Sequence, residues 1–507
     1  MNKLIRFFNS SKLHLWLAFI INVAGLVVCE YFGYAWAYFS ATLFLSFISV
    51  FFLAGRTEKD NYKLIVFLTM LILPLVAMAY GRALKEKKGN KKIRKDWSDI
   101  VYRNRKTVFQ SSETMQILKN ENEDAYKTCN YLVNSVGMPC FQNAKVKYYS
   151  FGDVYFNDLF EECKKAKRFI FLECYKIVPG KLWTELFDIL RLKAREGVIV
   201  RLMYDDSVCT KYMPSEMYEK MQNHGIETIP FNRLKGGKQS TFLNCRNFKR
   251  ICIVDGNVGF FAGYNIDDAY VTGQDRASTN KDCALKLQGD CVRNLTVMFL
   301  EDYQFATKKV VNLQEYFCES ESVKTKDWVL PYSTNPVSLE HTNKGVILSL
   351  INNAKESINI VTSYIALDDE LKNALVIASK SGIKVRLVFA HDGGKRKYVR
   401  ALARSYFYDL IKEGIEVYEY KNGKMTTRLI MIDENAVLIS TNNLDCLRTY
   451  KHFNAGVYVY GEAVILVHND MREILAASQS VSMKDLQKRK ITEKISAIWR
   501  KFTSMFK

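Results

Sequence analysis

The stretch FKRICIVDGNVGFFAGYN at 248–265 returns as TTRLIMIDENAVLISTNN at 426–443. In both copies an apolar run reads as a buried strand ending at an aspartate. A turn, a second apolar strand and an asparagine follow. Arg250 aligns with Arg428, Asp255 with Asp433, Asn257 with Asn435 and Asn265 with Asn443, each pair 178 positions apart. A strand–turn–strand unit kept twice at one spacing restricts the chain to folds built from two copies of a larger unit.

The flanks give that larger unit its class. RFIFLECY reads as a buried strand, LWTELFDILRLKAREG as an amphipathic helix closed by Gly197, VIVRLMYDD as a strand and SEMYEKMQNHG as a helix. The second half runs SINIVTSYI, DELKNALVIASKSG, IKVRLVFAHD, ALARSYFYDLIKEG and IEVYEY before its own motif. Strands that alternate with helices predict a helix-covered sheet in each half. Neither half places GxGxxG after its first strand, which argues against a dinucleotide site.

At 507 residues there is room for two such domains and more. The additional sequence lies at the N-terminus, where apolar runs cover 13–29, 34–54 and 64–80. A spanning helix needs about 20 apolar residues, so these predict a membrane segment of two to three helices. Three runs in series are also not the pattern of a signal peptide. GRALKEKKGNKKIRK follows with eight Lys or Arg, which favours the cytoplasm for the large domain. The formal charge of +20 suits a polyanion, either nucleic acid or an anionic membrane surface. The twelve cysteines form no CxxC pair, and the cysteine pattern fits a reducing compartment. No His/Cys/Asp cluster has ligand spacing, so no metal or other cofactor is expected. The tail ITEKISAIWRKFTSMFK reads as a basic amphipathic helix, suited to a membrane surface or to the protein's own core.

Several collinear stretches resemble the bacterial cardiolipin synthases of the phospholipase D superfamily. They include KLIVFLTMLILPLVAMAYGR, FIFLECYKIVPGKLW, VRLMYDDS, VRNLTVMFLEDY, LPYSTNPVSLE, ARSYFYDLIKEGIEVYEY and FNAGVYVYG. The resemblance implies two duplicated α/β/α domains forming one pseudo-dimeric unit after the membrane segment, with two HxKxxxxD motifs meeting at one site. The implied division is 1–82 membrane segment, 83–145 basic connector, 146–325 first domain, 326–482 second domain and 483–507 terminal helix. It also implies that one His attacks a phosphodiester while the other moves protons, that Lys and a downstream Asn hold the phosphate, and that the Asp supports a His.

This chain departs from that pattern at the reacting positions. Counting back seven from Asp255 and from Asp433 gives Phe248 and Thr426 in place of His; counting back five gives Arg250 and Arg428 in place of Lys. The acidic residue after the second motif has become Asn454, whereas Asp282 remains in the first half, and Ser440, Thr441 and Asn442 replace small residues before Asn443. Phe cannot attack phosphorus or carry a proton, and Thr426 has no general base beside it in sequence. The six histidines, His14, His224, His341, His391, His452 and His468, occupy no duplicated pair of positions.

The expectation is therefore a catalytically degenerate relative with no catalytic residues, in which Arg250, Asn265, Arg428 and Asn443 bind a phosphate or lipid headgroup. Pairing of the arginines with acids such as Asp282 is the competing expectation. The partners expected are phosphatidylglycerol or cardiolipin, the membrane, and an active synthase or other envelope protein. An active phosphatidyltransferase using non-standard residues, and a nucleic-acid binder, are the alternatives.

Overall fold

The computed structural model describes residues 88–232, 245–271, 280–318, 325–336, 341–390, 397–445 and 452–487, with scattered positions between Ile20 and Phe44. The apolar runs at 64–80 and most of 13–29 and 34–54, residues 488–507 of the terminal helix and His391 lie outside these residues. Among the described residues no helix is long and apolar enough to cross a membrane.

Both halves of the duplication lie in one compact unit, 93–234 with 242–496. In chain order, β1 is Phe141–Gln142, β2 Lys145–Tyr149, β3 Phe169–Cys174, β4 Ile199–Asp205, β5 Glu227–Phe231, β6 Ile251–Val254, β7 Val258–Ala262 and β8 Ala284–Gln288. The second half supplies β9 Trp328–Thr334, β10 Ser357–Thr362, β11 Ile365–Ala366, β12 Lys384–Ala390, β13 Glu416–Tyr420, β14 Leu429–Ile432, β15 Ala436–Ser440, β16 Leu444–Asp445, β17 Asn454–Tyr460 and β18 Ser478–Ser480.

One sheet has the order β2-β8-β7-β6-β3-β4-β5. The other repeats it strand for strand as β9-β17-β15-β14-β10-β12-β13, with β1 added at one edge and β18 at the other. In each, three parallel strands join an antiparallel group through the motif strand, β6 or β14. The register is duplicated as well: Ile170 faces Val254 in the first sheet and Ile358 faces Ile432 in the second.

The apolar sequence of β3 follows from its position. Phe169 and Phe171 point into the core shared by both sheets, whereas Ile170 and Leu172 face the first sheet's own helices. A strand covered on both faces has no use for polar alternation. Helix Val292–Thr307 packs on β5 and β6 of one sheet and on β9 of the other. Its Phe299 ring stacks on Phe171 at 4.8 Å. Truncating either ring costs about 3–5 kcal/mol.

The stretch read as a basic connector holds the helices Lys88–Arg105, Ser112–Glu121 and Glu123–Val136. The third buries Ala125, Cys129, Leu132 and Val136, a helical spacing, and lies against β9 and helix Thr342–Asn353.

Candidate functional site

The hairpins that carry the motifs are fixed at the end away from the cleft. Asp255 and Gly256 turn the chain at φ 55° and 77°, and Asp433 and Glu434 do so at 47° and 60°. The Asp255 carboxylate accepts the amides of Lys167, Arg168 and Phe169 at 2.7–2.9 Å. Asp433 accepts those of Lys355, Glu356 and Ser357 at 2.8–2.9 Å. Each aspartate pins the strand beside its own hairpin. Seven strand positions, about 20 Å, separate it from Phe248 or Thr426.

At the other end each motif crosses to the opposite half. Asn247 bridges Phe453 and Met425 bridges Lys281, two symmetry-related contacts. The Phe248 amide donates to the Phe453 carbonyl at 2.9 Å, and the Thr426 amide to the Lys281 carbonyl at 2.7 Å. This brings Phe248, Arg250, Thr426 and Arg428 to one cleft, with Asn265 bonded to Arg250.

The first-half arginine is held rigidly. Arg250 is buried, donates from Nε to Asn265 Oδ1 at 2.9 Å and from Nη1 to the Phe248 carbonyl at 2.9 Å, and lies over the Tyr175 ring at 5.1 Å. Burial, and then the positive charge of Arg428, push its pKa down. Arg428 is half-buried, and its Nε has no hydrogen-bond partner among the described residues. Asn443 accepts at Oδ1 from Ser363 Oγ at 2.6 Å. Among the described residues no carboxylate comes within 4.0 Å of either guanidinium. Two like charges thus face one cleft without a direct ion pair, the Asp282 charge offsetting part of the Arg428 repulsion at Arg250.

Asp282 instead serves Thr426, whose hydroxyl donates to Asp282 Oδ2 at 2.5 Å. Tyr270 Oη lies 3.4 Å from Thr426 Oγ1 and accepts from Asn265 Nδ2 at 3.3 Å. A Cβ on Gly263 would sit 2.0 Å from Asp282 Oδ1, so glycine is what admits the carboxylate. The symmetry-related pair is Thr441 and Asn454, and there the Thr441 hydroxyl donates to Asn454 Oδ1 at 3.0 Å. These replacements fit one another. The Phe248 side chain makes no hydrogen bonds, so its partner need not be an acid, and an uncharged amide can satisfy Thr441. Phe248 packs against Tyr175 at 4.6 Å and His452 at 4.8 Å. His452 Nδ1 accepts the Arg246 amide at 3.0 Å, which gives that histidine a structural task.

A charged network lies behind Phe248. Lys249 and Asp302 form a wholly buried ion pair at 2.5 Å. Glu173 accepts from the Asn247 side chain, and Asp205 accepts the Asn247 amide at 3.0 Å. Burial, followed by the Asp302 charge, pushes the Glu173 carboxyl far up. Glu173 Oε2 and Asp302 Oδ1 are buried oxygens of this network without a hydrogen bond among the described residues. The sequence reading missed Tyr175, Tyr270, Ser363 and Lys249. Lys249 sits in a basic run that reads as solvent-facing, and Tyr270 carries no motif signal.

Comparison with known proteins agrees with this architecture. The family described as cardiolipin synthase, PLD-like domain, matches residues 347–475. Cardiolipin synthase 2 of Bacillus anthracis is 31% identical over 347 residues, 68% of this chain and 67% of that protein. The probable cardiolipin synthase YwiE of Bacillus subtilis is 26% identical over 493 residues, 94% of each chain. Among solved structures, phosphatidylserine synthase of Haemophilus influenzae superposes with a TM-score of 0.57 at 13% identity, covering 75% of this chain and 98% of that one, a likeness of fold.

Proposed function

We propose that this chain, which belongs to the bacterial cardiolipin synthase family of the phospholipase D superfamily, has kept the phosphate seat and given up the chemistry. In this reading it is a multi-pass membrane protein with its large domain in the cytoplasm, divided at the limits given above. Its cleft binds anionic phospholipid, phosphatidylglycerol or cardiolipin, and the protein regulates or scaffolds an active synthase or another envelope enzyme. Nucleic acid is disfavoured as the ligand.

The observation that carries the reading is the pair Arg250 and Arg428, whose charges bear on one another with no carboxylate at ion-pair distance among the described residues. Their mutual repulsion, offset only in part by Asp282, would be relieved by an anion between them. Guanidinium groups suit this task because they stay charged and grip phosphate in a planar, bidentate fashion. The test is thermal unfolding of the full chain with glycerophosphoglycerol. A ligand at a hundred times its Kd adds about 2.7 kcal/mol to stability. The reading expects that gain in the native chain and its loss in Arg250→Gln and Arg428→Gln. An equal gain in all three proteins would contradict it.

The second reading, an active phosphatidyltransferase, has the Thr426–Asp282 hydrogen bond in its favour, since a hydroxyl beside a buried carboxylate is the arrangement of a nucleophile and its base. Against it, Phe248 offers no proton to a leaving alcohol.

A further inference from the structure

Two pairs of free thiols meet inside the chain, and they are held very differently. Cys129 Sγ lies 3.2 Å from Cys140 Sγ, and Cys163 Sγ lies 4.0 Å from Cys252 Sγ. All four side chains are buried. Cys252 sits within β6, which is bonded to β3 on one side and β7 on the other, and Cys163 packs in the same core from the helix Gly152–Lys165. The Cys252 backbone cannot shift without disturbing that sheet.

The first pair has more freedom. Cys129 is on the buried face of the helix Glu123–Val136. Gly137 closes that helix at φ 64°, and Cys140 directly precedes β1. The sulfurs of a disulfide are about 2.05 Å apart, so this pair needs to close by about 1 Å, within reach of small side-chain rotations. The turn is held at two points. Asn294, on the helix packed between both sheets, donates to the Pro139 carbonyl at 2.9 Å. Gln110, just before helix Ser112–Glu121, accepts the Cys140 amide at Oε1 at 2.6 Å and donates from Nε2 to the Cys140 carbonyl at 3.4 Å. Gln110 is half-buried and its neighbour Phe109 is exposed. One side chain near the surface thus fastens both backbone groups of Cys140.

We propose that Cys129 and Cys140 form a reversible oxidation site, with a hydroperoxide as the oxidant and Gln110 as the gate. Release of Gln110 opens the Cys140 thiol. Its sulfur attacks one peroxide oxygen, the O–O bond breaks, and Cys140 becomes a sulfenic acid as water leaves. Cys129 Sγ then attacks the Cys140 sulfur, and the hydroxyl departs with the Cys129 proton as a second water. Two thiols lose two electrons and two protons, and the peroxide is reduced to two waters. Cys129 reacts second, because burial and then the hydrogen bond to Cys140 push its thiol far up and keep it protonated. The bond fastens the helix Glu123–Val136 to β1, and through β1 to β9. In a reducing compartment thiol exchange opens it again, the behaviour of a redox-responsive disulfide rather than a structural one. None of this depends on what the cleft binds.

The test treats the full chain in detergent micelles with hydrogen peroxide, blocks the remaining thiols with N-ethylmaleimide during denaturation, and maps the peptides by mass spectrometry. The expected product joins the Cys129 and Cys140 peptides with loss of two hydrogen atoms, reverts with dithiothreitol, and leaves Cys163 and Cys252 as maleimide adducts. Gln110→Ala removes two hydrogen bonds to Cys140 and should speed the linkage about tenfold. Cys129→Ser should stop the reaction at the Cys140 sulfenic acid, trapped by dimedone. Recovery of both thiols as maleimide adducts, in the native chain and in Gln110→Ala, would overturn the proposal. So would a linkage that forms no faster than one between Cys163 and Cys252. An unchanged rate in Gln110→Ala would overturn the gate.

Discussion

The two halves share strand order and register, yet their motif strands rest on different foundations. In the first half Lys249 is wholly buried against Asp302, with Glu173 and Asp205 close by. The corresponding positions in the second half are Thr427 for Lys249, Val361 for Glu173 and Ala390 for Asp205. The fold therefore does not need charge behind its motif strand, since one half does without it. What the first half gains is a fixed floor: Asn247 is held by both Glu173 and Asp205, and Phe248 and Arg250 follow directly. The second half leaves Arg428 Nε unpartnered. The two arginines of the cleft thus differ in how firmly each is held by its own half.

The largest effect that could break this comparison is expected at the paired positions 249 and 427. Lys249→Met leaves Asp302 buried and uncompensated and should cost about 3–5 kcal/mol in chemical denaturation. Thr427→Val removes a buried hydroxyl that has no partner among the described residues and should be neutral or stabilising by up to about 1 kcal/mol. Similar losses at both positions would mean that the halves rest on the same foundation after all.

Next is a pH dependence confined to the first half. Burial raises the Asp205 carboxyl from its ordinary 3.8 to about 6. The folded chain holds that proton more tightly than the unfolded chain. The stabilisation is therefore complete below about pH 4 and is lost as pH rises to about 6, about 3 kcal/mol at most. Asp205→Asn should flatten that part of the stability profile, and an unchanged slope would count against the assignment.

A smaller pair of effects tests what the halves have in common. Asp255→Ala and Asp433→Ala each remove three backbone hydrogen bonds and should each cost about 2 kcal/mol. A marked inequality would show that one hairpin does more than pin its neighbouring strand. The smallest effect belongs to the turns. Glu434 occupies a left-handed position where the first half has Gly256. Glu434→Gly should therefore stabilise by about 0.5–1 kcal/mol. At Gly256 the converse change is barred, because a Cβ would lie 2.5 Å from the Tyr316 carbonyl.

Much of this could be read from the sequence. The constant spacing between the motifs, the apolar runs of β3 and β10 and the helix-closing glycines follow from local periodicity, which a linear sequence records directly. The mixed α/β fold with two matching sheets follows from the same features. The substitutions Phe248, Arg250, Thr426 and Arg428 are visible by counting. The cross-half contacts are not visible, because they join residues as far apart as Asn247 and Phe453. The partner of Thr426 was missed for that reason: Asp282 lies 144 positions away and reaches it only through the Lys281–Met425 bridge. The pairing of Tyr175 with Ser363 is equally hidden, since the two become equivalent only once the strand register is known. Lys249 was misleading because a lysine between Phe and Arg gives no sign of burial, and its partner Asp302 lies on a helix packed between both sheets.

The account turns on whether the clamp holds a phosphodiester without cleaving it. The most direct measurement is mass spectrometry of lipids after incubating the full chain in phosphatidylglycerol vesicles, with an active cardiolipin synthase alongside and, in parallel, a variant carrying Phe248→His, Arg250→Lys, Thr426→His and Arg428→Lys. The account predicts no cardiolipin from the native chain while the active enzyme produces it, and any gain of activity only in the variant. Cardiolipin made by the native chain, and lost on Thr426→Val, would contradict the account and assign the chemistry to the Thr426–Asp282 pair.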